Sequence, residues 1–161
     1  CDLLKKNYAS AADRLAFENV AIARGGGVLA MYRQRGTGSV QGDQATYASS
    51  VVSTDPAVVA RQLGVSRSEI ERFEVPTASL DDLVRKHGVR ELDVLQVDTE
   101  GYEREVLETL TLTSCCPLLI QFEHGHMKPS ALRAVFNRLS HAGYAMLYGG
   151  RQIDSLACHR T

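Results

Sequence analysis

The chain has 161 residues, of which 44% are hydrophobic and 23% are charged, and its formal net charge at pH 7 is −1. This composition is typical of a globular protein that is long enough to bury a core. The balanced charge gives no electrostatic reason to expect nucleic acid or an anionic membrane as the main partner. No apolar run approaches the roughly 20 residues that a membrane-spanning helix needs. We therefore expect a single domain over residues 1–161.

The start of the chain indicates the extent of the protein, and the cysteines indicate its location. The first residues contain neither an initiator methionine nor the apolar region of a signal peptide, so we expect the chain to be part of a longer protein. The cysteines show no CxxC spacing and are too scattered for a disulfide framework, which favours reduced thiols and a cytoplasmic location. The cysteines are Cys1, Cys115, Cys116 and Cys158.

Helical and strand patterns alternate in the first part of the chain. Apolar residues at helical spacing predict a helix over residues 2–15. The pattern then predicts a strand over residues 17–23, a glycine turn, and a second strand over residues 28–32. Residues 33–50 have no period and are rich in glycine, serine, threonine and glutamine, which predicts a flexible loop. A loop of this length in a compact domain is often functional.

Three helix signals follow in the middle of the chain. An Asp-Pro pair predicts a short helix over residues 55–63, with the aspartate as its cap. A serine begins a second predicted helical stretch over residues 66–73, and residues 75–77 are expected to be extended. Ser79, with an acid three residues later, predicts a third helix that stops at Gly88.

The second half of the chain has the clearer pattern. A strand over residues 92–97 leads into a helix with one apolar face, and the apolar run 117–122 is typical of a central strand covered on both faces. A helix over residues 129–143 follows. Residues 144–148 and 151–156 flank two glycines, which indicates a hairpin. We therefore predict an α/β domain with a mostly parallel sheet whose final strand is antiparallel.

Polar residues follow two neighbouring strands of this predicted sheet. Asp98 and Glu100 lie at a strand end, which is where open α/β sheets bind ligands. Helix capping and the charge preference of a helix N-terminus are structural explanations that stay open for both. Glu123, His124 and His126 follow the next strand at the same rim, and histidine is the usual general base. The structural alternative is that Glu123 and His124 only fix their loop by hydrogen bonds.

Five sequence blocks resemble one known family. The segment DTEGYE at residues 98–103, preceded by LDDL at residues 80–83, resembles the core of the FkbM family of S-adenosylmethionine-dependent methyltransferases. Flanking blocks are similar too: FENVAIA at residues 17–23, YASS at residues 47–50 and FEHGH at residues 122–126. The resemblance covers nearly the whole chain.

The resemblance implies a Rossmann-like class I methyltransferase sheet. In that fold the first strand carries a glycine-rich cofactor loop and the second ends in an acid for the ribose, and this chain shows neither. Residues 2–15 would then be the helix after the second strand, and residues 17–23 the third strand. The first two strands lie between the third and the fourth in that fold. Residues 17–23 are therefore expected to lack a sheet neighbour, and the cofactor to lack its main cradle.

The resemblance also implies the activity. We expect S-adenosylmethionine as cofactor and O-methylation of a hydroxyl on a small-molecule acceptor, a sugar or secondary metabolite. The assigned residues are Asp98, His124 and His126 for catalysis, Asp98, Glu100 and Ala21 for the cofactor, and Ser49, Ser50 and Glu123 for the acceptor.

Two other interpretations stay open. A divalent metal held by Asp98, Glu123 and a histidine would activate the acceptor hydroxyl, but the sequence shows no clear third oxygen ligand and we assign no metal. The competing class is non-enzymatic: a truncated or degenerate domain with a structural or interaction role. The sequence does not indicate an oligomeric state.

Overall fold

The computed structural model describes residues 2–36, 51–99, 101–150 and 154–160. Over these residues the chain is an α/β protein, as predicted. The helices are α1 (Asp2–Asn7), α2 (Pro56–Leu63), α3 (Leu80–Lys86), α4 (Glu103–Leu107) and α5 (Pro129–His141). The strands are β1 (Ala21–Ile22), β2 (Gly27–Gln34), β3 (Ile70–Ala78), β4 (Val94–Val97), β5 (Leu119–Glu123), β6 (Tyr144–Tyr148) and β7 (Asp154–His159).

The strands form two sheets, where the sequence predicted one. The smaller sheet has the order β1-β3-β2, with β1 parallel and β2 antiparallel to β3. The larger sheet has the order β4-β5-β7-β6, with β4 and β5 parallel. Its final strand is antiparallel, as predicted, and lies between β5 and β6 because it pairs with both. In the part of the chain that the model describes, no strand pairing joins the two sheets.

The prediction of a strand over residues 17–23 without a sheet neighbour is wrong. Only Ala21–Ile22 is a strand, and Ala21 pairs in parallel with Thr77 of β3. β3 is nine residues long and has β2 on one side, so its other side accepts β1.

The helix predicted over residues 66–73 is also wrong. A capping box between Ser66 and Glu69 does form, but it begins only a 3-10 turn, Arg67–Glu69. β3 starts at the next residue, and its partly buried and exposed residues alternate as in a strand with one covered face. The two-residue period of this segment therefore outweighs the helix-start signal.

Two boundaries in the first part of the chain differ from the prediction. α1 ends at Asn7 and a 3-10 turn, Ala9–Ala11, replaces its expected continuation to residue 15. Two apolar residues of the predicted helix, Tyr8 and Leu15, are exposed, and the Tyr8 ring contacts Phe17 beyond the helix, so little burial supports a longer helix. β2 extends to Gln34, two residues into the predicted loop, while residues 37–50 lie outside the described part.

The other capping predictions are confirmed. The Asp55 side chain accepts a hydrogen bond from the Ala57 N–H at 2.8 Å and caps α2. Ser79 and Asp82 form the capping box of α3. Such caps each stabilise a helix by about 1 kcal/mol. The predicted hairpin of β6 and β7 is observed, although β7 begins at Asp154 and residues 151–153 are not described.

The larger sheet packs against α4 and α5 and forms the core. Its buried side chains come from β4, β5, β7 and both helices, and they include Val97, Val106, Leu107, Ile120, Phe122, Val135, Leu139 and Ala157. Arg138 of α5 also donates hydrogen bonds to the Leu107 and Leu110 carbonyls at the end of α4. Partial burial lowers the pKa of this guanidinium. Packing and these bonds hold α4, and with it the residues that follow β4, in a defined position.

Candidate functional site

Three carboxylates meet where β4 and β5 end. Val97 pairs with Phe122 in the parallel ladder, so the next residues, Asp98 and Glu123, come from neighbouring strand ends at one rim. Glu103, the first residue of α4, joins them, and one carboxylate oxygen of each of the three lies within 4.8 Å of the others. The structure therefore brings Asp98 and Glu123 together, as the sequence predicted, and adds an acid that was not assigned.

Glu103 holds the turn after β4. It is 1% exposed, and its Oε1 accepts hydrogen bonds from the Thr99 N–H at 2.8 Å, the Thr99 hydroxyl at 3.1 Å and the Gly101 N–H at 3.1 Å. Oε2 accepts from the Gly101 N–H at 3.0 Å. These bonds repay the cost of burying the carboxylate. The sequence indicates only that an acid is favoured in the first turn of a helix, and not which backbone groups it binds.

Those hydrogen bonds also stabilise the buried charge of Glu103 in the acid cluster without a bound cation. Three carboxylates at this separation are oxygen ligands of the kind that divalent cations prefer, and Glu103 supplies the third oxygen ligand that the sequence lacked. However, both oxygens of Glu103 already accept hydrogen bonds from the turn. We therefore assign Glu103 to the turn, and the absence of a metal stays a prediction.

Gly101 lets the turn after β4 approach the loop after β5. Its φ of 104° lies in a region that other residues rarely adopt, and a Cβ built on it would lie 3.4 Å from the Cβ of His126. Gly101, in the turn after β4, and His126, in the loop after β5, therefore lie side by side. The turn and the loop form one continuous wall.

His126 is the accessible histidine of this wall. Its side chain is 42% exposed, and its Nε2 lies 3.9 Å from Oε1 of Glu123, whose side chain is 8% exposed. The pair therefore combines an imidazole that a ligand can reach with a mostly buried carboxylate behind it.

His124 lies on the hairpin side of the same loop. It is buried, its Nδ1 is 3.1 Å from the Ser155 Oγ of β7, and its ring centroid is 4.9 Å from that of Tyr148 in β6. These contacts correspond to the structural alternative that the sequence left open. A catalytic role of His124 stays a prediction, and His126 is the better placed of the two.

A pocket of about 450 Å³ lies between the smaller sheet, α2 and this wall. Its volume is within the range of small-molecule sites. About half of the lining side chains are apolar, and they include Ala21, Ile22, Leu29, Met31, Val52, Val58 and Val106. The other half are polar or charged, and Asp55, Arg61 and Lys128 are among them. Thr99, Tyr102 and His126 line it from the wall, and burial raises the pKa of the Tyr102 hydroxyl, which keeps it protonated. Glu103 is linked to the pocket through Thr99 and Gly101, which line it and donate hydrogen bonds to this carboxylate.

The predicted site residues therefore fall into four groups. Ala21 and His126 line the pocket, and Asp98 and Glu123 stand behind its wall. His124 contacts the hairpin. The remaining assignments, Glu100, Ser49 and Ser50, lie outside the described residues, and their roles stay predictions.

Fold and site define an α/β protein with a candidate small-molecule pocket beside the carboxyl ends of two parallel strands. The family model described as the methyltransferase FkbM domain matches residues 2–146. The chain therefore belongs to the FkbM methyltransferase family, as the resemblance implied, and methyl transfer is the activity that membership indicates. A search of curated proteins and a search of solved structures each gave no significant match. Among the helices of the described residues, none has the length and apolarity to cross a membrane.

Proposed function

We propose that this protein is an S-adenosylmethionine-dependent O-methyltransferase that methylates a hydroxyl of a small-molecule acceptor, a sugar or secondary metabolite. Family membership supports methyl transfer. The observation that carries the assignment of the site is the position of His126, which lines a pocket of about 450 Å³ and has the Glu123 carboxylate 3.9 Å behind it. Transfer to oxygen needs a group that removes the hydroxyl proton, and this pair supplies one.

The residues present fit a cationic methyl donor in part. S-adenosylmethionine, when bound, supplies an electrophilic methyl group on a positively charged sulfur. Asp98, Glu103 and Glu123 place negative charge at this rim, whereas Arg61 and Lys128 in the pocket lining add positive charge. The fit to a ligand with a sulfonium and an ammonium group therefore rests on Asp98, the exposed acid of the three. Exposed Asp98 is suited to the ammonium group, and Ala21 lies on the apolar wall. Glu100 stays an expected cofactor contact.

The protein's own residues then have defined tasks. Methyl transfer to a hydroxyl is an in-line displacement, so the pocket must align the acceptor oxygen with the methyl carbon. His126 accepts the hydroxyl proton, and Glu123 stabilises the imidazolium that forms.

We further infer that the larger sheet is the carboxyl-terminal part of a Rossmann-like class I sheet. Support comes from the parallel pair β4 and β5 with α4 between them in the chain, and from the antiparallel final strand. A crystal structure tests this arrangement. The order β4-β5-β7-β6 is expected, and a sheet in which β4 and β5 are not neighbours would contradict it.

We also propose a cytoplasmic location, which rests on the cysteines. Cys115, Cys116 and Cys158 are free thiols. Purification without reductant, followed by alkylation in denaturant and mass spectrometry, should label all three, including Cys115, which is buried in the folded protein. A disulfide among them would contradict the proposal.

Calorimetric titration with S-adenosylmethionine tests the function. The protein is expressed with its natural flanking sequence, and acceptor turnover is followed as S-adenosylhomocysteine release with a panel of sugars, phenols and alcohols. Saturable binding and release with at least one hydroxyl acceptor are expected. A folded protein that binds neither S-adenosylmethionine nor S-adenosylhomocysteine would instead support the non-enzymatic alternative, a structural or interaction module.

A further inference from the structure

Thr99 connects the pocket to the buried carboxylate of Glu103. It lines the pocket of about 450 Å³, and its hydroxyl donates a hydrogen bond to Glu103 Oε1 at 3.1 Å. The backbone N–H of the same residue donates to the same oxygen at 2.8 Å. Backbone and side chain of Thr99 are thus held by one acceptor that is almost completely buried.

The direction of this hydrogen bond determines what the hydroxyl can offer to a ligand. A threonine hydroxyl has one proton and two lone pairs, whereas a carboxylate can only accept. Because the proton of Thr99 is given to Glu103, its oxygen keeps acceptor capacity alone. A ligand that meets this oxygen must therefore present an O–H or N–H donor.

The methylated hydroxyl itself cannot be that donor. In the proposed reaction its single proton goes to His126, which lies on the same wall through its contact with Gly101. Gly101 and Thr99 in turn share the Oε1 atom of Glu103. The oxygen of Thr99 is therefore available close to the reacting hydroxyl for a second donor on the acceptor.

We propose that Thr99 is a ligand-contacting residue that selects acceptors with a second hydroxyl beside the one that is methylated, and that Glu103 is a positioning residue that fixes the polarity of the Thr99 hydroxyl. The inference rests on the proposed function for the identity of the reacting hydroxyl, and it narrows the acceptor class to vicinal diols and polyols with an apolar portion.

A binding experiment without methyl donor tests this. The probes are styrene glycol, which has two adjacent hydroxyls on a phenyl-bearing chain, and phenethyl alcohol, which lacks one of them. NMR chemical-shift titration of the whole protein measures both dissociation constants. The glycol should bind about fivefold more tightly, as one added hydrogen bond predicts. Equal affinities, or binding of neither probe, would overturn the proposal.

Substitutions assign the preference to Thr99. Thr99→Val should abolish it, Thr99→Ser should keep it, and Thr113→Val, an exposed threonine elsewhere, should leave it unchanged. Glu103→Gln keeps an acceptor oxygen for Thr99 and should retain most of the preference, whereas Glu103→Leu should lose it. Retention of the full preference in a folded Thr99→Val protein would refute the assignment.

A further titration separates the possible sources of the donor. S-adenosylhomocysteine carries an ammonium group, so a Thr99→Val protein that loses affinity for it while keeping the glycol preference would move Thr99 to the cofactor and overturn the acceptor proposal. Failure of the methyltransferase proposal is distinguishable, because it would abolish S-adenosylhomocysteine binding in the wild-type protein and leave the glycol preference in place.

Discussion

Nε2 of His126 lies 3.9 Å from Oε1 of Glu123, so an accessible imidazole stands in front of a mostly buried carboxylate. The two residues are three positions apart in the loop after β5, and the histidine lines the pocket while the carboxylate joins the acid cluster. This relationship gives the loop a chemical role in addition to its packing. It also distinguishes His126 from His124, although both were predicted to be catalytic.

Replacing His126 tests the assignment of the proton acceptor. His126→Gln should lower kcat by about 10²- to 10⁴-fold, the usual contribution of a general base, and should leave S-adenosylmethionine affinity unchanged. His141→Gln is the matched control, because His141 is an exposed histidine at the end of α5. Steady-state kinetics with any acceptor that the wild-type protein methylates gives the answer. Unchanged kcat in the His126 variant would remove the histidine from the mechanism.

His124→Gln should affect stability more than catalysis. Its hydrogen bond to Ser155 is buried, and loss of such a bond costs about 1 to 3 kcal/mol of unfolding free energy. Urea denaturation measures this loss, and kinetics should show kcat within a few-fold of wild type. A loss of kcat as large as that of the His126 variant, in a stably folded protein, would show that His124 is the base.

Asp98→Ala should abolish methyl transfer while the protein folds normally. Asp98 is exposed, so its removal should change the unfolding free energy by no more than about 0.5 kcal/mol. Asp93→Ala is the control, since Asp93 is an exposed aspartate just before β4, at the opposite end of the strand. Retained activity in the Asp98 variant would mean that this carboxylate has only a structural role.

Gly101→Ala should reduce both stability and activity. The backbone strain at a φ of 104° costs about 1 to 3 kcal/mol, and relaxation of that strain would move the new Cβ relative to His126, which it contacts at 3.4 Å. Gly88→Ala separates the two effects, because Gly88 also has a positive φ but no atom within 4 Å of an added Cβ. The control should lose stability and keep activity. Equal activities of the two variants would show that the contact with His126 does not matter.

Removal of divalent metal should leave methyl transfer unchanged. The turn after β4 donates three hydrogen bonds to Oε1 of Glu103 and shares the Gly101 N–H with Oε2, so the charge of this buried carboxylate is stabilised without a cation. Activity after dialysis against a chelator is the measurement, with added magnesium as the reverse test. Loss of activity that magnesium restores would assign a metal to Asp98, Glu103 and Glu123.

The pairing of Asp98 with Glu123 could be predicted from sequence, whereas the role of Glu103 could not. Residues that follow neighbouring parallel strands must meet at one rim, so an apolar strand pattern with an acid after it is sufficient for the prediction. Glu103 belongs to a helix, and its hydrogen bonds depend on the backbone of the turn, which the side-chain pattern does not encode. The family resemblance predicted the activity, whereas the strand pattern alone predicted which acids meet at the rim.

The two sheets show the same limit of prediction: local contacts could be predicted from the sequence, and long-range strand pairing could not. Local capping signals at Asp55 and Ser79 identified α2 and α3 because a cap is a contact within a few residues. The sequence predicts a helix at the start of β3 because Ser66 and Glu69 form a capping box. The strand that is observed there depends on long-range pairing with β2. The parallel addition of β1 to β3 is a tertiary contact that no local pattern indicates.

The most direct test of the central claim is calorimetric titration of the protein, expressed with its natural flanking sequence, with S-adenosylmethionine, in wild type and in the Asp98→Ala variant. We expect saturable binding by the wild type and a loss of affinity of at least about tenfold in the variant, the size of effect that loss of a charge-assisted hydrogen bond produces. A correctly folded wild-type protein that releases no heat and binds no S-adenosylmethionine would contradict the methyltransferase assignment.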